Sequence, residues 1–294
     1  MKHWNPCDYS FYVSSNRRLL QRIFYTLALC SFGLDFWQHI LIYQIGSNPL
    51  LNQDVDPVYM LFMMLGIPHF ISGWAAPFFD ALLILSCLAS IFWPNQKASP
   101  LLFFILYIVY FIVGNMLSGH HYTNIGLLVM AFPFIFSKPS QFVWVYSLCR
   151  FFLCFMMVSA ACWKIIRGNL WHVDQTNMML ILTHLETLVH EPGSGVAMVV
   201  KWLLYNRLPA HAIWVFLIFI EGVFILGFIN LKWDRILLVA YLLFFVGGWL
   251  IFNIYNFENL LLLLTLTPIL AIINRFKQPE NTKMRGGANV MTAI

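Results

Sequence analysis

The chain is written as apolar blocks of about twenty residues separated by short polar breaks. Twenty residues is the length a helix needs to cross about 30 Å of hydrocarbon. Strands crossing a membrane would alternate apolar and polar positions over about ten residues. Runs such as Leu260–Ile273, LLLLLTLTPILAII, show no alternation. The pattern therefore predicts an all-α, polytopic transmembrane helix bundle with eight spans, near 21–45, 70–93, 99–117, 121–137, 142–164, 210–231, 234–253 and 256–274. The fourth is short and holds Pro133, so a kink or an incomplete crossing is expected there. The apolar segment 57–69 is too short to span and is expected to lie at the surface or fold back. The longest polar stretch, 165–209, is expected to face outward. Within it Met178, Met179, Leu182, Leu185 and Leu188 mark an amphipathic helix over 175–189, stopped by Pro192-Gly193-Ser194-Gly195. Residues 1–277 read as one transmembrane domain, without repeats, and 278–294 as a polar, disordered tail.

Composition agrees. Hydrophobic residues make up 61% of the 294 and charged ones 10%, against about 25% charged in a soluble globular protein. One core cannot bury that much apolar surface, so the lipid bilayer must solvate part of it. The net charge of +5 then reports topology, not a nucleic-acid partner. With the N-terminus cytoplasmic, Lys2, Arg17, Arg18, Arg22, Lys97, Lys138, Lys232, Arg235, Arg275, Lys277, Lys283 and Arg285 all fall inside. Only Lys164, Arg167, Lys201 and Arg207 fall outside, which predicts both termini in the cytoplasm. Arg17, Arg18 and Arg22 precede an apolar stretch too long for a cleavable signal, so it reads as a retained anchor. The cysteines stand singly and suggest neither disulfides nor a zinc site.

Ionisable groups inside spans are costly and call for a reason. Asp35 and His39 are spaced to share one helix face, as a proton relay or a helix-stabilising pair. Arg150 and Asp80 are expected to pair within the bundle. Glu221 lies halfway along the sixth span and must face other helices or water; Glu258 opens the eighth.

The densest chemistry is expected at the outer surface. His120, His121 and Tyr122 open the fourth span, and Lys164 closes the fifth, ahead of Trp171. Counted from Pro139, His121 lies about 27 Å and Lys164 about 37 Å along their helices, so tilt or a bend is needed to bring them level. The small residues Ser159, Ala160, Ala161 and Cys162 permit close helix approach. Desolvation disfavours an ammonium, so a lysine in apolar surroundings can act as a neutral general base. A histidine beside it can hydrogen-bond a developing oxyanion. The same residues have a plainer reading: lysine and tryptophan at a helix end are ordinary interfacial anchors. No metal is expected at the histidines, because adjacent residues on a helix point about 100° apart and no acidic partner is close in sequence.

Four stretches together resemble the membrane domain shared by vitamin K-dependent gamma-glutamyl carboxylases and their short bacterial relatives, the HTTM domain. They are the arginine-led helix from Arg17 to Asp35; His121 five residues before Gly126, which opens an apolar helix; Ala160 through Lys164 to Trp171; and Glu221 early in the next span. No stretch is long. The resemblance implies a multi-pass protein of a bacterial cytoplasmic membrane that uses a reduced menaquinone or vitamin K hydroquinone. It implies Lys164 as the base that deprotonates the quinol and His121 as its helper, with His120, Tyr122, Trp171, Glu221, Asp35 and His39 in support. A phenol-like hydroxyl with a pKa of about 10 needs such a neutral, desolvated base. Two departures stand out: the carboxylases carry a large extramembrane domain that grips their peptide, and they have paired lysines where this chain has Trp163-Lys164. The alternative is a non-catalytic membrane partner in maturation or export of a secreted peptide, working with a soluble accessory protein through 165–209. A transporter is disfavoured, because no inverted repeat or matched pair of broken helices is visible.

Overall fold

The computed structural model of the chain describes residues 6–37, 39, 41–45, 64–66, 75–118, 125–253 and 257–276, and every regular element among them is helical. In chain order these are α1 (Pro6–Ser15), α2 (Arg17–Trp37), α3 (Ile42–Ile45), α4 (Ala75–Phe92), α5 (Ala98–Ser118), α6 (Ile125–Ala131), α7 (Pro139–Ile166), α8 (Val173–His190), α9 (Gly195–Tyr205), α10 (Arg207–Val223), α11 (Leu226–Ile229), α12 (Asp234–Phe252) and α13 (Thr267–Phe276). Short 3-10 turns follow α6 and α11, and a longer one, Phe257–Thr265, precedes α13.

Four stretches are helices long and apolar enough to cross a membrane: Ala75–Phe92, Pro139–Ile166, Arg207–Ile229 and Leu231–Phe252. They coincide with four of the eight expected spans. The architecture is that of a multi-pass helical membrane protein. The remaining blocks are less regular. Ala98–Ile112 is apolar but shorter, and Ile125–Ile135 tightens into a 3-10 turn at Pro133. The last block is broken at Leu266 between its 3-10 and α parts. The segment 57–69 lies almost wholly, and the tail from 277 entirely, outside the described residues.

The broken block survives in apolar surroundings because side chains satisfy its backbone. An unpaired peptide group away from water costs several kcal/mol, on the order of a lost hydrogen bond or more. Tyr9 Oη donates to the Thr265 carbonyl at 3.0 Å and Tyr146 Oη to that of Leu264 at 2.9 Å. The Thr267 N–H donates to Asp234 Oδ2 at 2.9 Å; in the other direction, Asn259 Oδ1 from this block accepts the Gly126 N–H at the start of α6 at 2.9 Å.

Burial runs inside-out. Phe155, Phe216, Phe219 and Leu243 face outward, while Asp80, Glu221 and Asp234 are buried. Helix α8 repeats the inversion. Thr176, Leu180 and His184 form its buried line, and Met178, Ile181, Leu182, Leu185 and Val189 form an exposed apolar stripe. The expected amphipathic helix is present, one turn longer than expected, with its apolar stripe turned away from the protein. Polar contacts hold the other side: Thr176 Oγ1 meets His211 Nδ1 at 3.2 Å, and His184 Nε2 donates to the Ile251 carbonyl at 3.0 Å.

Candidate functional site

Helix α7 packs against α10, and α10 against α12. Pro139 starts α7 without wasting an N–H, and the helix then runs about 42 Å. It ends at Ile166, two residues after Lys164, and Gly168 just beyond adopts φ +79°. A side chain there would be strained, and its Cβ would meet the His172 ring at 2.8 Å. The Asn169 N–H caps the Lys164 carbonyl at 3.0 Å.

Lys164 does not simply reach out to water. Its Nζ donates to Glu221 Oε1 at 2.5 Å, with side-chain exposures of 22% and 2%. The ammonium also lies 5.0 Å from the centroid of the Trp214 ring and 5.7 Å from that of Phe244. Trp214 and Glu221 are two turns apart on one face of α10. Tyr241, Phe244, Phe245, Gly248 and Phe252 recur at helical spacing on α12. Together with Lys164, Trp214 and Leu217, these α12 residues enclose a pocket of about 40 Å³ beside the amine, with Glu221 outside its walls. Phe244 lies about 15 Å along α12 from Asp234, so the pair stands level with the middle of that helix. Among the described residues, two buried polar atoms here lack hydrogen-bond partners, Glu221 Oε2 and Trp214 Nε1.

An ion pair taken out of water is held together by strong attraction at low dielectric, and it tolerates loss of either partner poorly. Two aromatic faces near the ammonium add cation–π attraction. Chemically, the site offers one proton held between an amine and a carboxylate, one unused carboxylate oxygen, and walls suited to a flat apolar guest.

The other expected site residues are dispersed. Trp171 is 75% exposed on the turn after α7. Asp35 is buried and accepts from Tyr110 Oη at 3.2 Å. It does not share a helix face with His39: α2 ends at Trp37, and His39 takes a left-handed φ of 59° with its Nδ1 3.3 Å from Gln44 Nε2. Arg150 pairs with Asp234, at 2.5 Å, instead of Asp80, whose Oδ2 accepts from the Tyr43 N–H at 3.0 Å. His120, His121 and Tyr122 lie outside the described residues, as does the Glu258 side chain. Among the described residues no three His, Cys, Asp or Glu side chains gather as metal ligands would. Sequence reasoning missed the aromatic wall and Gly248, since aromatic residues in apolar helices carry no distinguishing signal.

Comparison with protein-family models, with curated proteins and with solved structures gives no significant match.

Proposed function

We propose that the chain is a carboxylase-like membrane protein in which the Lys164–Glu221 pair accepts the proton of a lipid-soluble hydroquinone such as reduced menaquinone. The observation that carries this reading is a part-buried lysine paired with a buried glutamate, level with the middle of an apolar helix and walled by Trp214 and Phe244. Intramembrane ionisable groups are rare and usually functional.

The pocket as it stands admits a hydroxyl or a water, not a fused ring system, so the ring lies at its mouth against Phe244 and Phe245. Ion-paired, Lys164 has no lone pair to offer. Either its proton passes first to Glu221, and the neutral amine then takes the quinol proton, or Glu221 Oε2 takes that proton directly. In both cases the pair ends with one more proton, and the quinolate oxygen faces a cationic amine. His121 remains the proposed helper. The basic residues placed inside by the charge rule put both termini in the cytoplasm. In this arrangement eight blocks lie in the bilayer, and the apolar stripe of α8 rests among lipid at the outer boundary.

The pocket gives a direct test. A Cβ built on Gly248 meets nothing within 4 Å, so Gly248→Val fills the space without straining the helix. Purified protein in nanodiscs is supplied with menaquinol and oxygen, and the quinone epoxide is read by mass spectrometry. The expected result is product from the wild-type chain and at least tenfold less from Gly248→Val at unchanged melting temperature. Equal product from both would remove the pocket from the mechanism.

A further inference from the structure

A second feature lies at the opposite end of α7 from Lys164. The fold brings the end of α1, the start of α2, the turn between α4 and α5 and Ser137 together around an open groove of about 860 Å³. Arg17, Arg18, Arg22 and Lys97 line it, and among the described residues no acidic one does. Arg17 braces one wall: its Nη1 donates to the Ser137 carbonyl at 2.8 Å, and its guanidinium lies 5.2 Å from the centroid of the Phe142 ring. Arg18, Arg22 and Lys97 have no ion-pair partner among the described residues.

Arg18 and Arg22 stand one turn apart on α2, a like-charge spacing that costs a helix a few tenths of a kcal/mol, about 0.2–0.5. Topology alone needs basic residues on this side of the membrane; it does not need three chain segments to converge on one cleft. The convergence concentrates positive potential in a concave site. Beside the groove, at the end of α4, Phe92 and Trp93 are 67% and 57% exposed. Exposed aromatic residues next to basic ones mark the boundary between headgroups and acyl chains. A ligand that fits must therefore carry negative charge at one end and apolar chain at the other.

We infer that this groove binds the phosphate-bearing headgroup of an anionic glycerophospholipid, with the acyl chains lying along Phe92 and Trp93. Arg18, Arg22 and Lys97 surround the phosphate, and Arg17 positions the wall. The lipid would tie the α1–α2 corner to the α4–α5 turn. The site shares no residue with the Lys164 pocket and does not depend on the function proposed for it.

The test uses the full chain in detergent and native mass spectrometry. Phosphatidylglycerol and phosphatidylcholine of identical acyl chains are titrated separately, and inorganic phosphate is added as competitor. The chain is expected to retain phosphatidylglycerol in preference to phosphatidylcholine. Arg18→Gln/Arg22→Gln should weaken that retention about twenty-fivefold, taking each basic residue near an anionic headgroup at about fivefold. Both positions are exposed and glutamine is a good helix former, so the variant should fold. Lys232→Gln, a charge outside the groove, should change nothing. Three results would each overturn the inference: equal retention of the two lipids, equal losses in the double variant and Lys232→Gln, or displacement by inorganic phosphate at the lipid's own affinity, which would make the ligand a free phosphate.

Discussion

Arg150→Met is expected to destabilise the chain by about 3–5 kcal/mol, the usual cost of stranding one member of a buried ion pair. Asp234 is fully buried, and its two oxygens serve three donors: Arg150 Nε, Arg150 Nη2 and the Thr267 N–H. Arg150 Nη1 also donates at 3.0 Å to the Gly227 carbonyl, where the helix following α10 is about to end. Arg150 on α7 thus ties α11 to the start of α12, and Asp234 carries the link on to the start of α13. Arg150→Lys should also fail to restore stability, because an ammonium is a point donor and cannot reproduce the planar fork. Asp234→Asn keeps one acceptor oxygen and should cost less than Arg150→Met. Thermal unfolding in detergent, followed by tryptophan fluorescence, checks the order. Equal melting temperatures for wild type and Arg150→Met would show that the network is not what holds these helices.

The second large effect is at Lys164. Lys164→Met leaves the Glu221 carboxylate behind at 2% exposure, so a loss of about 3–5 kcal/mol is again expected. Glu221→Gln should cost less, since Lys164 retains a carbonyl acceptor and some access to solvent. The double variant Lys164→Met/Glu221→Leu replaces the pair with apolar groups of similar volume, and such replacements are often neutral or better. It should recover most of the stability lost in Lys164→Met while remaining inactive. That split separates what the pair does for the fold from what it does for chemistry. A double variant as unstable as Lys164→Met would mean that the packing around the pair, and not its charge, was disturbed.

Much of this was legible in the order of residues, and the illegible parts have physical causes. Four of the apolar blocks became helices long enough to cross a membrane, although three of them hold an ionisable residue in their interior, Asp80, Arg150 and Glu221. The run ending the chain's apolar region looked continuous. Its backbone is broken because Tyr9, Tyr146 and Asp234, distant in sequence, supply the hydrogen bonds a helix would otherwise make. Asp35 and His39 had helical spacing, but α2 stops between them. Asp234 stands between Lys232 and Arg235, in what reads as a solvated loop, and its complete burial could not be anticipated; Asp80, inside an apolar run, looked like the better partner for Arg150. Lys164 and Glu221 could be singled out because charge is conspicuous in an apolar sequence. Their contact, and the aromatic wall around them, needed the packing of α7, α10 and α12.

In the function we propose, the Lys164–Glu221 pair takes a proton from a membrane-soluble hydroquinone. The most direct measurement is epoxide formation from menaquinol and oxygen by wild type and Lys164→Ala, each in nanodiscs and each verified as folded. Epoxide is expected from the wild type, with at least a hundredfold less from Lys164→Ala. Epoxide at the wild-type rate from Lys164→Ala, or none from the folded wild-type chain, would contradict it.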